Sequence, residues 1–425
     1  MAEELKFPKG FLWGAATAAH QVEGDNYNNW SVWEKENAER LARQAKTLWQ
    51  PWQQKQFPEM FDPQNYISGR AANHYHLFEK DFDIAQSLGH NAHRFSLEWS
   101  RIEPERGKFD EKEIKHYRSV LKALRERNIR PFVTLWHWTS PVWVVEQGGW
   151  ENEKTVKDFE RYVTKIVQSF STEEIPVWMP VNEPGTFIGM GYVQGMFPPN
   201  VKNVFRANKS FKHLMDAHRR AYSIIHEHHA KAEVGLSHYA TCVQPYRNGP
   251  VNRLAVWGLD YIRNWRFLDS VKDDVDFIGI QYYHRDVIDV VPRGGKWGFF
   301  DVKNPNDWVN DLNWDMYPEG IYQILKRTAR YKKPIYITES GLADRDDRKR
   351  WEFIRRNLYW IHRAMSEGVD IRGYFHWSLL DNFEWDKGFW PRFGLVAVDF
   401  KTDERHIRPS ARHYKQVCET NTLIP

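Results

Sequence analysis

The chain has 425 residues, 41% of them hydrophobic, so it can bury a large core, and general disorder is excluded. Its length fits one elaborated α/β barrel or two ordinary domains. Lys and Arg number 60 against 56 Asp and Glu, and the resulting net charge of +4 gives no strong case for a nucleic-acid or membrane-surface partner.

The amino terminus, M-A-E-E-L-K-F-P-K-G, lacks the basic start and the apolar core of a signal peptide. No later stretch approaches the ~20 apolar residues that cross a bilayer. We therefore expect a cytoplasmic protein without a membrane partner. Cys242 and Cys418 are too few and too far apart in the sequence for a disulfide framework or a zinc site, and we expect both to be reduced.

The first predicted strand, 11–17, runs directly into the polar segment 18–24. The next segment, 25–69, is irregular and rich in Asn, Trp, Gln and Pro, which predicts a long loop that covers a site and contains a helical piece at 34–49. The stretch 294–313, rich in Gly, Asn, Asp and Trp, also predicts a loop.

Seven further apolar strands alternate with helices of period 3.6 along the rest of the chain. The strands are predicted at 92–97, 131–135, 177–182, 233–239, 276–283, 335–338 and 371–377. The helices are predicted at 73–88, 111–128, 155–170, 210–228, 251–268 and 348–367, and one more begins near 318.

Eight strands in alternation with helices predict a single (β/α)₈ TIM barrel with elaborated βα loops, which spans residues 1–425 as one domain. No Gly-x-Gly-x-x-Gly or P-loop motif follows any strand, which argues against a nucleotide-binding doubly wound sheet. No repeat of fixed period indicates a solenoid.

Two of the predicted strands end on a glutamate: Glu183 follows the fourth strand and Glu339 follows the seventh. Each glutamate taken alone fits a solvated strand end, since charged residues are mostly exposed. Together they would face one mouth of the barrel, where two carboxylates suggest glycoside hydrolysis with retention or inversion according to their separation.

A metal site is the competing chemistry for this mouth, but strand-end Asp and His residues form no recognisable ligand pattern, and none is predicted. The run H-E-H-H at 226–229 is not H-E-x-x-H, because position 230 is Ala. A solvated helix end is the better interpretation of that run.

The motifs V-N-E-P at 181–184 and I-T-E-S-G at 337–341 resemble the two active-site signatures of glycoside hydrolase family one. The resemblance extends over nearly the whole chain. Further motifs in the same order are F-P-K-G-F-L-W-G-A-A-T-A-A-H-Q-V-E-G, R-F-S-L-E-W-S-R-I, L-W-H-W, M-Y-P-E-G and W-S-L-L-D-N-F-E-W.

The resemblance implies a retaining β-glucosidase, with β-galactosidase or β-fucosidase side activity, that removes terminal non-reducing β-D-glycosyl residues by double displacement. It implies small-molecule β-glycosides or short oligosaccharides as substrates and no cofactor. A homo-oligomer is left open.

The resemblance also implies roles for single residues. Glu183 corresponds to the general acid/base and Glu339 to the nucleophile, whose carboxylate Arg94 and Tyr283 would support. The remaining positions correspond to sugar-binding residues of the family: Gln21, His137, Trp138, Asn182 (for the 2-hydroxyl), Tyr283, Trp314 (leaving-group platform), Trp377 (floor), Glu384 and Trp385. For each Trp, ordinary core packing is the alternative.

Several positions depart from the commoner family sequence. Ser340 follows the nucleophile where Asn is usual, Gln281 replaces the Asn of N-Y-Y, and Gly185 stands where a larger residue is frequent. Two alternatives also remain. One is a 6-phospho-β-glycosidase, disfavoured because Glu384 would repel phosphate, and the other is a catalytically inactive carbohydrate-binding barrel.

Overall fold

The computed structural model describes residues 4–293, 296–303 and 307–424, with the backbone alone at 291–293 and 296–303. Eight parallel strands close into a barrel in which sequence neighbours are also spatial neighbours. They are β1 Leu12–Ala16, β2 Ala92–Ser96, β3 Arg130–Trp136, β4 Val177–Val181, β5 Glu233–Tyr239, β6 Phe277–Gln281, β7 Ile335–Ser340 and β8 Ile371–Trp377. The predicted barrel is confirmed.

Helices surround the barrel and connect its strands. The main ones are α1 Asn29–Leu48, α2 His74–Ser87, α3 Glu111–Glu126, α4 Glu153–Ser169, α5 Val204–His228, α6 Pro250–Asp260, α7 Glu319–Thr328, α8 Arg350–Ser366 and α9 Pro409–Thr420. Shorter helices cover Ala19–Val22, Pro51–Gln56, Trp99–Ile102, Val142–Glu146, Pro184–Ile188 and Arg266–Val271. Each predicted barrel helix is present, displaced by a few residues at its ends.

Helix α4 illustrates why these segments form where they do. Asn152 caps the helix by accepting a hydrogen bond from the backbone N–H of Lys154 at 3.1 Å. Phe159, Val163 and Ile166 recur at helical spacing and are fully buried against the barrel. The sequence pattern and the packing therefore agree in this element.

A three-stranded sheet outside the barrel corrects the loop predicted at 294–313. Cys242–Pro245 pairs parallel with Arg285–Arg293, and the latter pairs antiparallel with Lys296–Lys303. Positions 294, 295 and 304–306 lie outside the described residues. The missed strand carries Gly and Asp and lacks strict alternation, so it has a weak sequence signal.

The interior of the barrel is filled by aromatic rings on the amino-terminal side of the strand-end polar residues. Phe132 lies at its centre, with ring centroids 4.8 Å from Phe375 and 5.2 Å from Tyr336. Phe277 is 5.1 Å from Tyr336. These four rings are buried and form a cluster, the aromatic plug, that separates the two ends of the barrel.

Helix α6 reverses the usual amphipathic arrangement. Its buried positions are the polar residues Asn252 and Asp260, whereas Leu254 and Trp257 are each 69% exposed. The Asp260 carboxylate accepts a hydrogen bond from Arg327 Nη1 on α7 at 2.9 Å. Polar contacts therefore attach this helix to the protein.

Candidate active site

The candidate active site lies at the carboxyl ends of the barrel strands, where parallel strands bring their following residues to one rim. Glu339 is the fifth residue of β7 and pairs in register with Gln281, the last residue of β6. Asn182 directly follows β4 and forms a bridge with Ser237 of β5. Arg94 lies within β2, so four strands contribute side chains to one cluster.

The Glu339 carboxylate is surrounded by hydrogen-bond donors. Arg94 Nη1 donates to its Oε1 and forms a fully buried ion pair. Gln281 Nε2 donates to the same oxygen at 2.6 Å, and the Tyr283 hydroxyl donates to Oε2. The predicted supports Arg94 and Tyr283 thus both contact the predicted nucleophile, and Gln281 is a third donor.

Asn182 connects this carboxylate to the neighbouring polar residues. Its Oδ1 accepts from Arg94 Nη2 at 2.6 Å and from Gln281 Nε2 at 2.9 Å. Its Nδ2 therefore carries the amide hydrogens and lies 3.0 Å from His137 Nε2, which must accept. Burial and the Arg94 charge hold the pKa of His137 well below its usual range, so the ring is neutral with its proton on Nδ1.

Glu183 has different surroundings. It follows β4 with a left-handed backbone, φ 40° and ψ 59°, a conformation that non-glycine residues rarely adopt. Its backbone N–H donates to the Ser237 carbonyl at 2.8 Å, and its carbonyl accepts from Phe187 N–H at 3.1 Å. These bonds fix the unusual conformation and place the side chain in the mouth rather than in β4.

The two carboxyl groups differ in acidity because they differ in partners. Burial first, then the nearby Glu339 charge, raises the pKa of Glu183 well above its ordinary value. Burial also raises the pKa of Glu339, but Arg94 and the Tyr283 hydroxyl oppose this rise. Glu339 is therefore the stronger acid, and Glu183 holds the proton when only one of the pair is ionised.

Aromatic side chains form one wall of the mouth. His137 stacks between the indoles of Trp377 and Trp385, with ring centroids 6.1 Å and 6.0 Å away. Trp138 lies 4.8 Å from Trp385. Trp314 lies across the mouth, 6.2 Å from the Tyr283 ring, and is only partly buried. Trp138 and Trp385 thus pack together, and Trp314 packs against the hydrophobic cluster that contains Trp377.

Gln21 and Glu384 form a second polar group at the rim. Gln21 Nε2 donates to the Phe383 carbonyl at 2.8 Å, to Asn382 Oδ1 at 3.1 Å and to Glu384 Oε2 at 3.4 Å. Burial raises the pKa of Glu384 to about 8, although Lys387 opposes the rise. This carboxyl group is partly exposed, so a ligand in the mouth can hydrogen-bond to it.

Four buried polar atoms of this region have no hydrogen-bond partner among the described residues. They are Gln21 Oε1, His137 Nδ1, Gln281 Oε1 and Ser340 Oγ. Buried polar groups are normally satisfied, so these four atoms are free to hydrogen-bond with a polar ligand.

Sequence reasoning missed three contributors to this geometry. Thr134 Oγ1 accepts from Arg94 Nε at 3.2 Å and fixes the guanidinium from below, and no sequence signal marks it. Asn382 lies within W-S-L-L-D-N-F-E-W, where its position between two predicted residues could have identified it. Gln281 differs from the Asn that is usual in the family. Its contacts with Glu339 and Asn182 depend on the register of β6 and β7, which the sequence does not give.

Other candidate chemistry is not supported. His226 of the H-E-H-H run contacts Asp276 Oδ2 at 2.9 Å, and His229 Nε2 donates to the Val167 carbonyl at 2.9 Å. Within 4–293, 296–303 and 307–424, no group of three or more His, Cys, Asp or Glu side chains could hold a metal ion. No helix in that part of the chain is long and apolar enough to cross a membrane.

The chain is similar in sequence and in structure to known glycosidases. The profile of "Glycosyl hydrolase family 1" matches residues 3–271 and 266–423. A 1,4-beta-D-glucan glucohydrolase of Thermotoga neapolitana is 30% identical over 98% of this chain and 99% of its own. A 6-phospho-beta-galactosidase of Staphylococcus epidermidis is 29% identical over 98% and 99%. The structure of a beta-glycosidase from Pyrococcus horikoshii superposes with a TM-score of 0.88 at 36% identity, covering 99% of this chain and 96% of that one.

Proposed function

Because the chain belongs to glycosyl hydrolase family 1 and is a glycoside hydrolase, we propose that it is a retaining β-glucosidase with Glu339 as nucleophile and Glu183 as acid/base. It would remove terminal non-reducing β-D-glycosyl residues from small β-glycosides or short oligosaccharides. β-Galactosides and β-fucosides would be secondary substrates. The cytoplasmic location and the oligomeric state expected from the sequence stay predictions.

The observation that carries this proposal is the unequal pair of carboxyl groups. Glu339 accepts hydrogen bonds from Arg94, Gln281 and Tyr283, which stabilise its ionised form. Glu183 is buried with a raised pKa and holds a proton. Glycoside cleavage by two carboxyl groups needs this combination of an ionised carboxylate and a protonated acid, and membership of the family favours the retaining course.

Two steps follow from these protonation states. The Glu339 carboxylate attacks the anomeric carbon while the Glu183 carboxyl gives its proton to the departing glycosidic oxygen, so the C–O bond breaks and the alcohol leaves. A covalent glycosyl ester on Glu339 results. Glu183, now ionised, takes a proton from water as the water oxygen attacks the same carbon, which releases the sugar and restores both residues.

The walls of the mouth would bind the sugar. Asn182 presents its Nδ2 donor, because Oδ1 is already bonded to Arg94 and Gln281, and this donor suits the 2-hydroxyl. We assign the remaining sugar contacts to a single set of side chains: Gln21, His137, Trp138, Glu384 and Trp385 for the hydroxyls, Trp377 for the ring face, and Trp314 for the leaving group.

A 6-phospho-glycosidase is the second candidate, since a named 6-phospho-beta-galactosidase is among the relatives. A phosphate close to Glu384 would meet a carboxyl group rather than a cation, and Lys387, whose charge acts on Glu384, already pairs with Asp386 Oδ1 at 2.5 Å. The unphosphorylated sugar is therefore favoured.

Hydrolysis of an aryl β-glucoside tests the proposal. The wild type should release the aryl group and Glu339→Gln should not, whereas the exposed control Glu146→Gln should match the wild type. Proton NMR should show the β-anomer of glucose as the first product. An α-anomer overturns retention, an inactive wild type favours a binding barrel, and faster cleavage of the 6-phosphorylated aryl glucoside favours the second candidate.

A further inference from the structure

The side chain of Gln281 contacts both Glu339 and Asn182, the two polar residues expected to act on the substrate. Gln281 ends β6, pairs in register with Glu339 of β7 and is fully buried. Its Nε2 donates to Glu339 Oε1 at 2.6 Å and to Asn182 Oδ1 at 2.9 Å. A primary amide carries two N–H bonds, so both are used.

Arg94 makes the same two connections from the other side. Its Nη1 donates to Glu339 Oε1 and its Nη2 to Asn182 Oδ1 at 2.6 Å. The two acceptor oxygens are therefore joined twice, once through β2 and once through β6. The two donors to Oδ1, together with the contact of Nδ2 with His137 Nε2 at 3.0 Å, fix the plane and the orientation of the Asn182 amide.

The length of the Gln281 side chain matters to this arrangement. Asn from the same backbone position would be shorter by one methylene, roughly 1.5 Å. Contacts of 2.6 and 2.9 Å would then open to roughly 4 Å, beyond hydrogen-bond reach. The commoner family residue would therefore not replace Gln281 in this chain.

We propose that Gln281 is a positioning residue that holds the Glu339 carboxylate and the Asn182 amide as one unit. This inference rests on the proposed function, in which Glu339 is the nucleophile and Asn182 contacts the sugar 2-hydroxyl. Hydrogen bonds to a charged group are stronger than those between neutral groups, so the loss of Gln281 should be measurable in two separate ways.

The first measurement is the pH dependence of kcat/KM for Gln281→Asn and Gln281→Leu. Removing a donor disfavours the ionised form of Glu339. The acidic limb of the pH profile, which reports this ionisation, should therefore move to higher pH, while the basic limb, which reports Glu183, should stay in place. The midpoint of a limb does not depend on how much of the protein is correctly folded. A damaged scaffold alone would lower the activity at every pH and leave the midpoint in place.

The second measurement compares an aryl β-glucoside with its 2-deoxy analogue. If Gln281 orients Asn182, the wild type should prefer the 2-hydroxyl substrate strongly, and both variants should reduce that preference about tenfold. Gln281→Glu, which places an acceptor beside the nucleophile, should lose the most activity.

The outcomes separate this inference from the proposed function. Unchanged limbs and an unchanged 2-hydroxyl preference in both variants overturn the role of Gln281, provided the wild type hydrolyses the glucoside and Glu339→Gln does not. An inactive wild type overturns the proposed function and this inference with it.

Discussion

The two ends of the barrel are built from the same eight strands, but one end is filled by aromatic side chains and the other is lined by polar ones. Below the mouth, Phe132, Phe277, Tyr336 and Phe375 fill the interior with packed rings. A few residues further along the same strands, the mouth buries an ion pair and several polar atoms without partners. The plug stabilises the fold, and the mouth opposes it, because buried unpaired polar groups cost free energy.

Backbone conformation shows the same contrast. Three residues at the mouth are left-handed: Trp138 with φ 72°, Glu183 with φ 40° and Trp385 with φ 50°. None of the four residues of the plug has a positive φ. Left-handed non-glycine residues cost of order 1–3 kcal/mol each and concentrate at functional sites. Strain and unpaired groups in the mouth thus mark where activity and stability compete.

The largest expected effect comes from Glu339. Glu339→Gln should lower kcat/KM by on the order of 10⁴-fold or more, because the nucleophile is lost. It should also lower the unfolding free energy, since buried Arg94 loses its carboxylate partner. Activity assays and denaturant unfolding measure the two losses. Unchanged stability would contradict the importance of this ion pair.

Glu183→Gln should separate activity from stability, because it should lower the first without lowering the second. Activity on substrates with poor leaving groups should fall about 10²–10⁴-fold, and the basic limb of the pH profile should disappear. Stability at pH 7 should be equal or higher, because Glu183 is buried with a raised pKa and Gln is neutral without that constraint. Calorimetry of Glu183→Gln, compared with the wild type and with Glu339→Gln at pH 7, tests this prediction.

Phe375→Ala should lower stability and leave activity nearly unchanged, which is the reverse of the result expected for Glu183→Gln. The unfolding free energy should fall by about 3–5 kcal/mol as a cavity opens in the plug, while kcat/KM changes by less than about tenfold. Phe205→Ala, at a residue 84% exposed, should change stability by less than about 0.5 kcal/mol. A collapse of activity in the folded Phe375 variant would show that the plug also positions the mouth.

The last expected effect concerns Glu384, and it appears only as the pH rises. Its pKa is about 8 in the folded protein against an ordinary 4.5, so the folded state binds more protons between these values. Wild-type stability therefore falls as pH rises from about 4.5 to about 8. Glu384→Gln cannot ionise, so its Tm should exceed that of the wild type at pH 8 and match it at pH 4.

The barrel is largely predictable from the sequence because its strands are short buried runs between amphipathic helices. β5 and β8 coincide with their predicted ranges, and β7 extends two residues further, to Ser340. The outer sheet was missed, because Lys296–Lys303 pairs outside the core and so has no strong apolar pattern.

The sequence predicts which residues lie in the site, but it does not predict the hydrogen bonds between them. The motifs around Glu183 and Glu339 predict roles, whereas the bonds of Gln281 depend on which residue of β7 lies opposite it. Likewise the orientation of the Asn182 amide follows from two donors on different strands, Arg94 and Gln281. Register and side-chain reach are properties of the assembled barrel.

The inverted helix α6 has a consequence for the order of folding. Hydrophobic collapse gains little from a helix whose apolar side chains Leu254 and Trp257 remain in water. Its inward anchors, Asn252 and Asp260, bond to Asp289 at 3.0 Å and to Arg327, which lie later in the chain.

Part of the attachment of this helix therefore depends on the outer sheet and on α7, although Asp260 also accepts hydrogen bonds from Asn264 and Trp265. Its backbone amides should accordingly be among the first to exchange hydrogen for deuterium in the native protein, well before those of β6 on its carboxyl-terminal side. The order in which elements dock would then differ from their order in the sequence at this helix, as it also does where β1 pairs with β8.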